Sequence, residues 1–451
     1  MSVVDEVNVL IGTAGSGHAL VGPQMPHGMV KLGPDTISLP CGGYDYNDSK
    51  VIGFSHTHLE GVGGRGGRGN ILLTATTGGL ITDEKQYASR FSHDRETAEV
   101  GYYQVFLEDY GVNVELTATL HAGFHRYVFP EADRAQILVD IGHTLGYWNN
   151  CEDGSIQVVD DTTMQGYGVY PIYKPGSSPF TVYFYIKFDK PFHCYGVWID
   201  NNIMSGARDG HGKKTGAYGG YCTLEGEPIQ VKVGISYISI EQARYNLVKE
   251  IPDWNFDEVK TKNKKAWDEL LGRVKVEGGG KDQRVQFYSA LYRSLNQPVD
   301  YTEYGWYHSG YSGKAEVHPA DELHFYGDDW AIWDTFRTTH PLQTILEPAI
   351  QNDMAETLVG IYEQGGWLPM ATAPNLGYNQ VMIGHNAASV IAGIYTRGFR
   401  EFRVQRAYEA MRKTATEEHD DPELRRLGTP QIYKDLGYCP AEDQGDEDDF
   451  S

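Results

Sequence analysis

"VNVELTATLHAGFHRYVF" occupies residues 112–129. Apolar and polar residues alternate along it, and β-branched and aromatic types are frequent. That is the pattern of strands with one face buried and the other wet. Working outward, "YYQVFLEDY" (102–110), "AQILVDIG" (135–142), "FTVYFYIKF" (180–188) and "VKVGISYISI" (231–240) repeat it, with Gly, Asn, Asp and Pro between them. Many short strands separated by turns predict a large β-sandwich up to about residue 240.

From about 241 the period changes. "EQARYNLVKEI" (241–251) and "FDEVKTKNKKAWDELLGRV" (256–274) read as helices broken at Pro252, a helical linker over 241–281. From 282 to 451 the chain is expected to be nearly all helix. Ile350, Met354, Leu358 and Ile361 form one helical stripe, with Pro348 before it and Gly365-Gly366 after it. Ala387, Val390, Ile391 and Ile394 form a second, and "EFRVQRAYEAMRKTA" (401–415) is a third helix. Strands first and helices later imply separate β and α layers or domains.

The net charge of −23 argues against nucleic acid, because phosphate binding needs clustered Lys and Arg. No apolar run approaches the ~20 residues that span a bilayer, so no membrane partner is expected. Five cysteines without a CxxC pair argue against a zinc cluster or a disulfide framework. The first residues lack a basic region followed by an apolar one, so the cytoplasm is the default location. A removed leader would make the protein secreted or periplasmic.

Three stretches could carry chemistry. In "GFSHTHLEGVGGRGGRGN" (53–70), seven glycines let the backbone approach a ligand closely, and His56 and His58 share one strand face. Either this is a ligand-contacting turn, or it is a hairpin with hydrogen-bonded core histidines. In "DDWAIWDTFRTTHP" (328–341), Trp330, Trp333, Asp334 and Arg337 fall on one helical face, and the helix is expected to end near His340. Indoles, a carboxylate and a guanidinium suit a sugar; a packed Trp pair with an Asp334–Arg337 ion pair is the alternative. "GGWLPMATAPNLGYNQVMIGHNA" (365–387) is a polar loop between helices. Its Asn375, Tyr378, Asn379, Gln380, His385 and Asn386 could bond a polyhydroxylated ligand, or simply connect. No phosphate loop, GxSxG elbow or dinucleotide fingerprint appears.

Five ordered blocks carry a resemblance. They are "IGTAGSGHALVGPQMPHGMVKLGPDT" (11–36), "GGYDYNDSKVIGFSHTHLEGVGG" (42–64), "VGYYQVFLEDYGVNVELTATLHAGFHRYVFP" (100–130), "IWDTFRTTHPLQTILEP" (332–348) and "YEQGGWLPM" (362–370). Together they resemble glycoside hydrolase family 92, the calcium-dependent exo-acting α-mannosidases. The resemblance implies an N-terminal β-sandwich (1–240), a helical linker and an (α/α)6 barrel from 282, with the site where sandwich and barrel meet. It implies inverting removal of terminal mannose from glycans, and Ca²⁺ on the sugar's O2 and O3. It implies that Asp334 binds mannose hydroxyls, with Gly63 and Gly64 along the same subsite. Trp333, Arg337 and His385 complete the candidate substrate-binding set.

Blocks similar to the family's EGNxxQY, GNEP and GNDDxGQMSAW, which bear its acid, base and calcium ligands, do not occur in the chain. The expectation is therefore an N-terminal portion with an incomplete barrel and no catalytic or metal residue of its own. It would be inactive alone, with a separate C-terminal half as a candidate partner. The alternative is a non-catalytic carbohydrate-binding or partner-binding fragment of the same scaffold.

Overall fold

The computed structural model describes residues 2–60, 68–146, 150–171, 179–321, 323–327, 332–372, 377–378 and 382–440. The chain divides into two compact units, Met1–His308 and Ser309–Ser451.

The first unit is a β-sandwich. Among the described residues, one sheet has eight strands. Seven run in the order Gly33–Thr36, Lys50–Ser55, Leu72–Thr77, Ala132–Asp140, Thr215–Thr223, Cys194–Ile199 and Asn202–Ser205, and Ser89–Arg90 pairs with Lys50–Ser55. The other has nine, with Asp153–Asp160, Thr163–Tyr170, Phe180–Phe188, Glu227–Ser236, Ala122–Phe129 and Val112–Ala118 at its centre. The alternation seen in the sequence is borne out. In the strand Phe180–Phe188, Phe180, Val182, Phe184, Ile186 and Phe188 are buried, and the residues between them are only half-buried. Each such apolar side chain contributes about 1.5–3 kcal/mol by leaving water. Phe54 of one sheet faces Tyr103 of the other, ring centroids 6.4 Å apart.

A single helical turn, α1 (Glu84–Tyr87), is capped by Asp83. Two longer helices, α2 (Ile240–Glu250) and α3 (Phe256–Leu271), begin at Ser239 and Asn255, whose side chains accept backbone N–H bonds from Gln242 and Glu258. They cover the outer face of the nine-stranded sheet: Leu247, Phe256 and Val259 pack on Tyr102, Ala122 and Phe124. The absence of a side chain at Gly234 permits this, since a Cβ there would lie 2.2 Å from the Ala243 carbonyl oxygen of α2. The helix α4 (Lys281–Ser294) completes the helical part of this unit.

The second unit is helical, with α5 (Ile332–Thr335), α6 (Thr339–Leu346), α7 (Gln351–Gly365), α8 (Asn386–Thr396), α9 (Val404–Thr416) and α10 (Gln431–Leu436). Its core joins Met354, Leu358 and Val359 of α7 to Val390, Ile391 and Ile394 of α8 and to Ala407 and Ala410 of α9. The second stripe and Ile350, Met354 and Leu358 of the first face this core, and Ile361 is also buried.

Two expectations are corrected. The stretch after 282 is not nearly all helix, because short strands occur at Val299–Asp300, Trp306–Ser309, Glu316–Pro319 and Tyr326–Gly327. Segments of two to four residues are too short for a period to register. The helix expected to end near His340 instead begins at Thr339. Pro341 lies in its first turn, where the missing N–H has no intrahelical partner to lose. No helix among the described residues is long and apolar enough to cross a membrane.

Candidate functional site

Asp35 lies in the strand Gly33–Thr36. His58 follows the neighbouring strand by three residues, and His143 follows Ala132–Asp140 by three. The sheet brings these three side chains together, each fully buried. One Asp35 oxygen accepts from His58 Nε2 at 2.7 Å, the other from His143 Nε2 at 3.0 Å. The other nitrogen of His143 meets Glu84 of α1 at 2.9 Å, and His58 Nδ1 meets the Lys31 carbonyl at 2.6 Å.

Burial alone would raise the Asp35 carboxyl. The His58 charge and hydrogen bonds from both rings more than offset it and bring it to about 2. Burial alone would lower His143. Its bonds to Asp35 and Glu84 dominate and raise it to about 10.

His56 is held differently. Its Nδ1 bonds the Ile71 carbonyl at 2.7 Å and its Nε2 lies 3.1 Å from His125 Nε2, which fits one neutral ring donating to another. Burial lowers His56 to about 4 and His125 well below its ordinary value. His56 and His58 are therefore hydrogen-bonded core histidines, sealed from any ligand.

In the second unit the candidate groups face outward. Asp334 on α5 is exposed, and Trp333 is half-buried. The Arg337 guanidinium sits 4.9 Å from the Trp333 ring centroid and 4.8 Å from that of Phe336, and its Nε donates to the Trp333 carbonyl at 3.2 Å. Arg337 thus stacks on rings. The helix α5 ends at Thr335, so Arg337 lies in the turn beyond it, off the continuous helical face that the spacing suggested.

His385 immediately precedes α8 and is half-buried. Burial lowers its ring below the ordinary value, against bonds to the Gly428 and Arg426 backbone. Ile332 of α5 and Ala387 of α8 share one core cluster, so Asp334 and His385 sit on adjoining elements. An exposed carboxylate, an indole and a ring-stacked guanidinium offer an acceptor, a flat apolar face and donors. That set suits a neutral, hydroxyl-rich ligand.

Gly63, Gly64, Trp330, Asn375, Asn379 and Gln380 lie outside the described residues. Two other loop residues are used internally. Tyr378 accepts from the Trp367 N–H and donates to the Trp367 carbonyl, and Asn386 donates to the carbonyls of Ile383 and Gly384. Sequence reasoning missed Asp35, Glu84, His125 and His143, which converge from distant segments without any local spacing. The available signals were Asp35, within the quoted "GPDT", and His125, within the quoted "HAGFHRYVF". Among the described residues no group of three or more His, Cys, Asp or Glu side chains is arranged to hold a metal.

Comparison with known proteins follows this division. The model of the glycosyl hydrolase family 92 N-terminal domain matches residues 6–236, and that of the family's catalytic domain matches 242–451. A secreted glycosidase described as uncharacterised, from Arthroderma benhamiae, is 29% identical over 98% of this chain and 56% of its own length. The structure of a family GH92 α-mannosidase from Bacteroides thetaiotaomicron superposes with a TM-score of 0.86 at 30% identity, covering 94% of this chain and 59% of that one. An inverting family GH92 mannosidase from the same organism gives 0.85 at 28% identity, covering 98% and 59%.

These findings overturn the expectation of an N-terminal portion that lacks the catalytic half, and with it the ground for expecting inactivity. The catalytic-domain model matches from residue 242 through 451. The chain spans 56% of the length of the curated relative and 59% of each of those two solved structures. With both domain models matched in order along its length, the chain belongs to glycosyl hydrolase family 92.

Proposed function

We propose that this protein is an α-mannosidase that hydrolyses terminal α-linked mannose on glycans with inversion. The observation that carries the reading is the match to the catalytic domain over a segment whose α5 exposes Asp334 beside Trp333 and Arg337. A related α-mannosidase has been solved with mannoimidazole bound, and another is described as inverting.

In the proposed complex Asp334 accepts hydrogen bonds from two adjacent sugar hydroxyls. Trp333 lies against ring C–H groups, Arg337 donates to a hydroxyl, and His385 flanks the sugar. Inversion asks for a carboxylic acid that protonates the leaving oxygen and a carboxylate that activates water from the opposite face, about 6.5–9.5 Å away. An (α/α)6 barrel is proposed for the chain from near residue 282, preceded by a linker from 241. The description of the Arthroderma relative as secreted supports an extracellular setting.

The test is release of the phenol from an aryl α-mannoside by the purified chain. Release by the wild type and its loss in Asp334→Asn support the reading. No release by the wild type, or full release by the variant, contradicts it. Ca²⁺ on the sugar hydroxyls is part of this proposal, and loss of release with a chelator, restored by added Ca²⁺, supports it.

A further inference from the structure

Tyr304 and Gly305 form a two-residue turn within the first unit, closed by Glu303 N–H on the Trp306 carbonyl at 2.7 Å. Both have positive φ, 53° and 93°. Glycine, asparagine and aspartate sit easily at the first of these positions, and an aromatic residue is strained there. A ring kept in such a turn calls for a reason beyond folding.

On its buried side the turn is fastened to α2 and to the strand Ala122–Phe129. Glu303 is fully buried. Its carboxylate accepts from Tyr237 N–H at 2.9 Å and from Asn246 Nδ2 at 2.8 Å, and its carbonyl accepts from Gln242 Nε2 at 3.2 Å. The Tyr304 hydroxyl donates to Glu250 Oε1 at 2.8 Å, and His121, just before that strand, meets the same oxygen at 2.6 Å through Nδ1. The Tyr304 ring is therefore held in one place.

Its outer side faces water. Tyr304 is 39% exposed, and Tyr245 and Val248 of α2 are 50% and 58% exposed. The two tyrosine rings meet edge to face, centroids 5.3 Å apart at 79°, and make a right-angled corner. Two such rings offer at most about 150–250 Å² each. That is well below the roughly 800 Å² that each partner of a stable protein interface buries. It matches the C–H face of one or two sugar residues, whose hydroxyls the phenol oxygens can bond. The exposed charges of α2, Glu241, Arg244 and Lys249, carry both signs, which suits a neutral ligand.

We propose that the Tyr245–Tyr304 corner is a second glycan-binding site, carried by the first unit, which holds a sugar of a neutral mannose-containing chain. This choice of ligand rests on the α-mannosidase reading above.

The test is retardation of the full chain in native gels containing soluble neutral α-mannan. Every chain carries Asp334→Asn, so that the proposed contact in the second unit is removed. The Asp334→Asn chain is expected to be retarded, and adding Tyr245→Ala or Tyr304→Gly to raise its Kd about tenfold. Glycine suits the φ of the turn, so Tyr304→Gly is expected to keep the unfolding midpoint while losing retention, which a purely structural tyrosine would not do. Free migration of the Asp334→Asn chain, or undiminished retention in the tyrosine variants, overturns the proposal. So does a concentration-dependent dimer that Tyr245→Ala abolishes, which would assign the rings to a second copy of the chain. If Tyr304→Gly does not fold, Tyr245→Ala, whose ring lies on the exposed side of α2, decides alone. Hydrolysis of an aryl α-mannoside by the wild type is read separately. Its absence defeats the α-mannosidase reading, while retention lost with the tyrosines still upholds the corner.

Discussion

The Asp35 node of the first unit and the Asp334 corner of the second both collect a carboxylate and cationic or ring-bearing partners, yet they use them in opposite ways. Around Asp35 the carboxylate and both imidazoles are fully buried and bonded to one another. Around Asp334 the carboxylate is exposed, and the nearby arginine is occupied with aromatic rings. The first arrangement has no capacity left for a ligand and a large penalty for losing a member. The second has capacity to spare and little structural debt. The comparison teaches that stability and recognition are placed on different groups, so substitutions should separate them.

The largest effect expected from breaking this contrast is at Asp35. Asp35→Ala strands two buried imidazoles and should lower unfolding stability by about 3–5 kcal/mol, measured by denaturant titration. A loss under 1 kcal/mol would mean that the node is not a structural unit. Next is Asp334→Asn, which should cut kcat/KM for an aryl α-mannoside by about a hundredfold. The same variant should leave the unfolding midpoint within about 0.5 kcal/mol of wild type. A stability loss equal to that of Asp35→Ala would erase the distinction.

A third prediction sharpens the node and the neighbouring His56–His125 pair, whose buried rings are shifted in opposite directions. His143 is raised from its ordinary 6.5 to about 10, so its stabilisation is complete below pH 6.5 and lost as pH climbs towards 10. Asp35 is lowered from 3.8 to about 2, so its stabilisation is present above 3.8 and lost as pH falls through 2. His56 is lowered from 6.5 to about 4, so its contribution is present above 6.5 and lost as pH falls through 4. Denaturation midpoints across pH should therefore peak near 6–7. His143→Gln should flatten the alkaline limb, and His56→Gln the acid limb between 4 and 6. Identical limbs in variant and wild type would refute the assignment. The smallest effect is at Arg337→Ala, where loss of the stacking on Trp333 should cost about 0.5–1 kcal/mol.

What the sequence disclosed follows from how local each signal is. The alternation of Phe180–Phe188 and the stripe from Met354 to Ile361 are periodic over single elements, and the structure buries those residues. The family resemblance likewise rested on contiguous blocks. The Asp35–His58–His143–Glu84 node was hidden because its members are joined only by sheet topology. Pro341 misled because proline near a helix marks either a start or a stop, and only the backbone decides which. The catalytic domain is not legible in short literal motifs, because the family match is spread over residues 242–451. Of the proposed sugar contacts, Trp333, Asp334, Arg337 and His385 were chosen from residue type and loop position. The structure brings the first three into one corner, with His385 on the adjoining element.

The most direct test of the account is proton NMR of the purified wild-type chain acting on an aryl α-mannoside, watching the anomeric signals from the first minutes. The account predicts β-mannose as the first product, with the α anomer growing in later by mutarotation. Appearance of α-mannose first, or no free mannose at all, would contradict it.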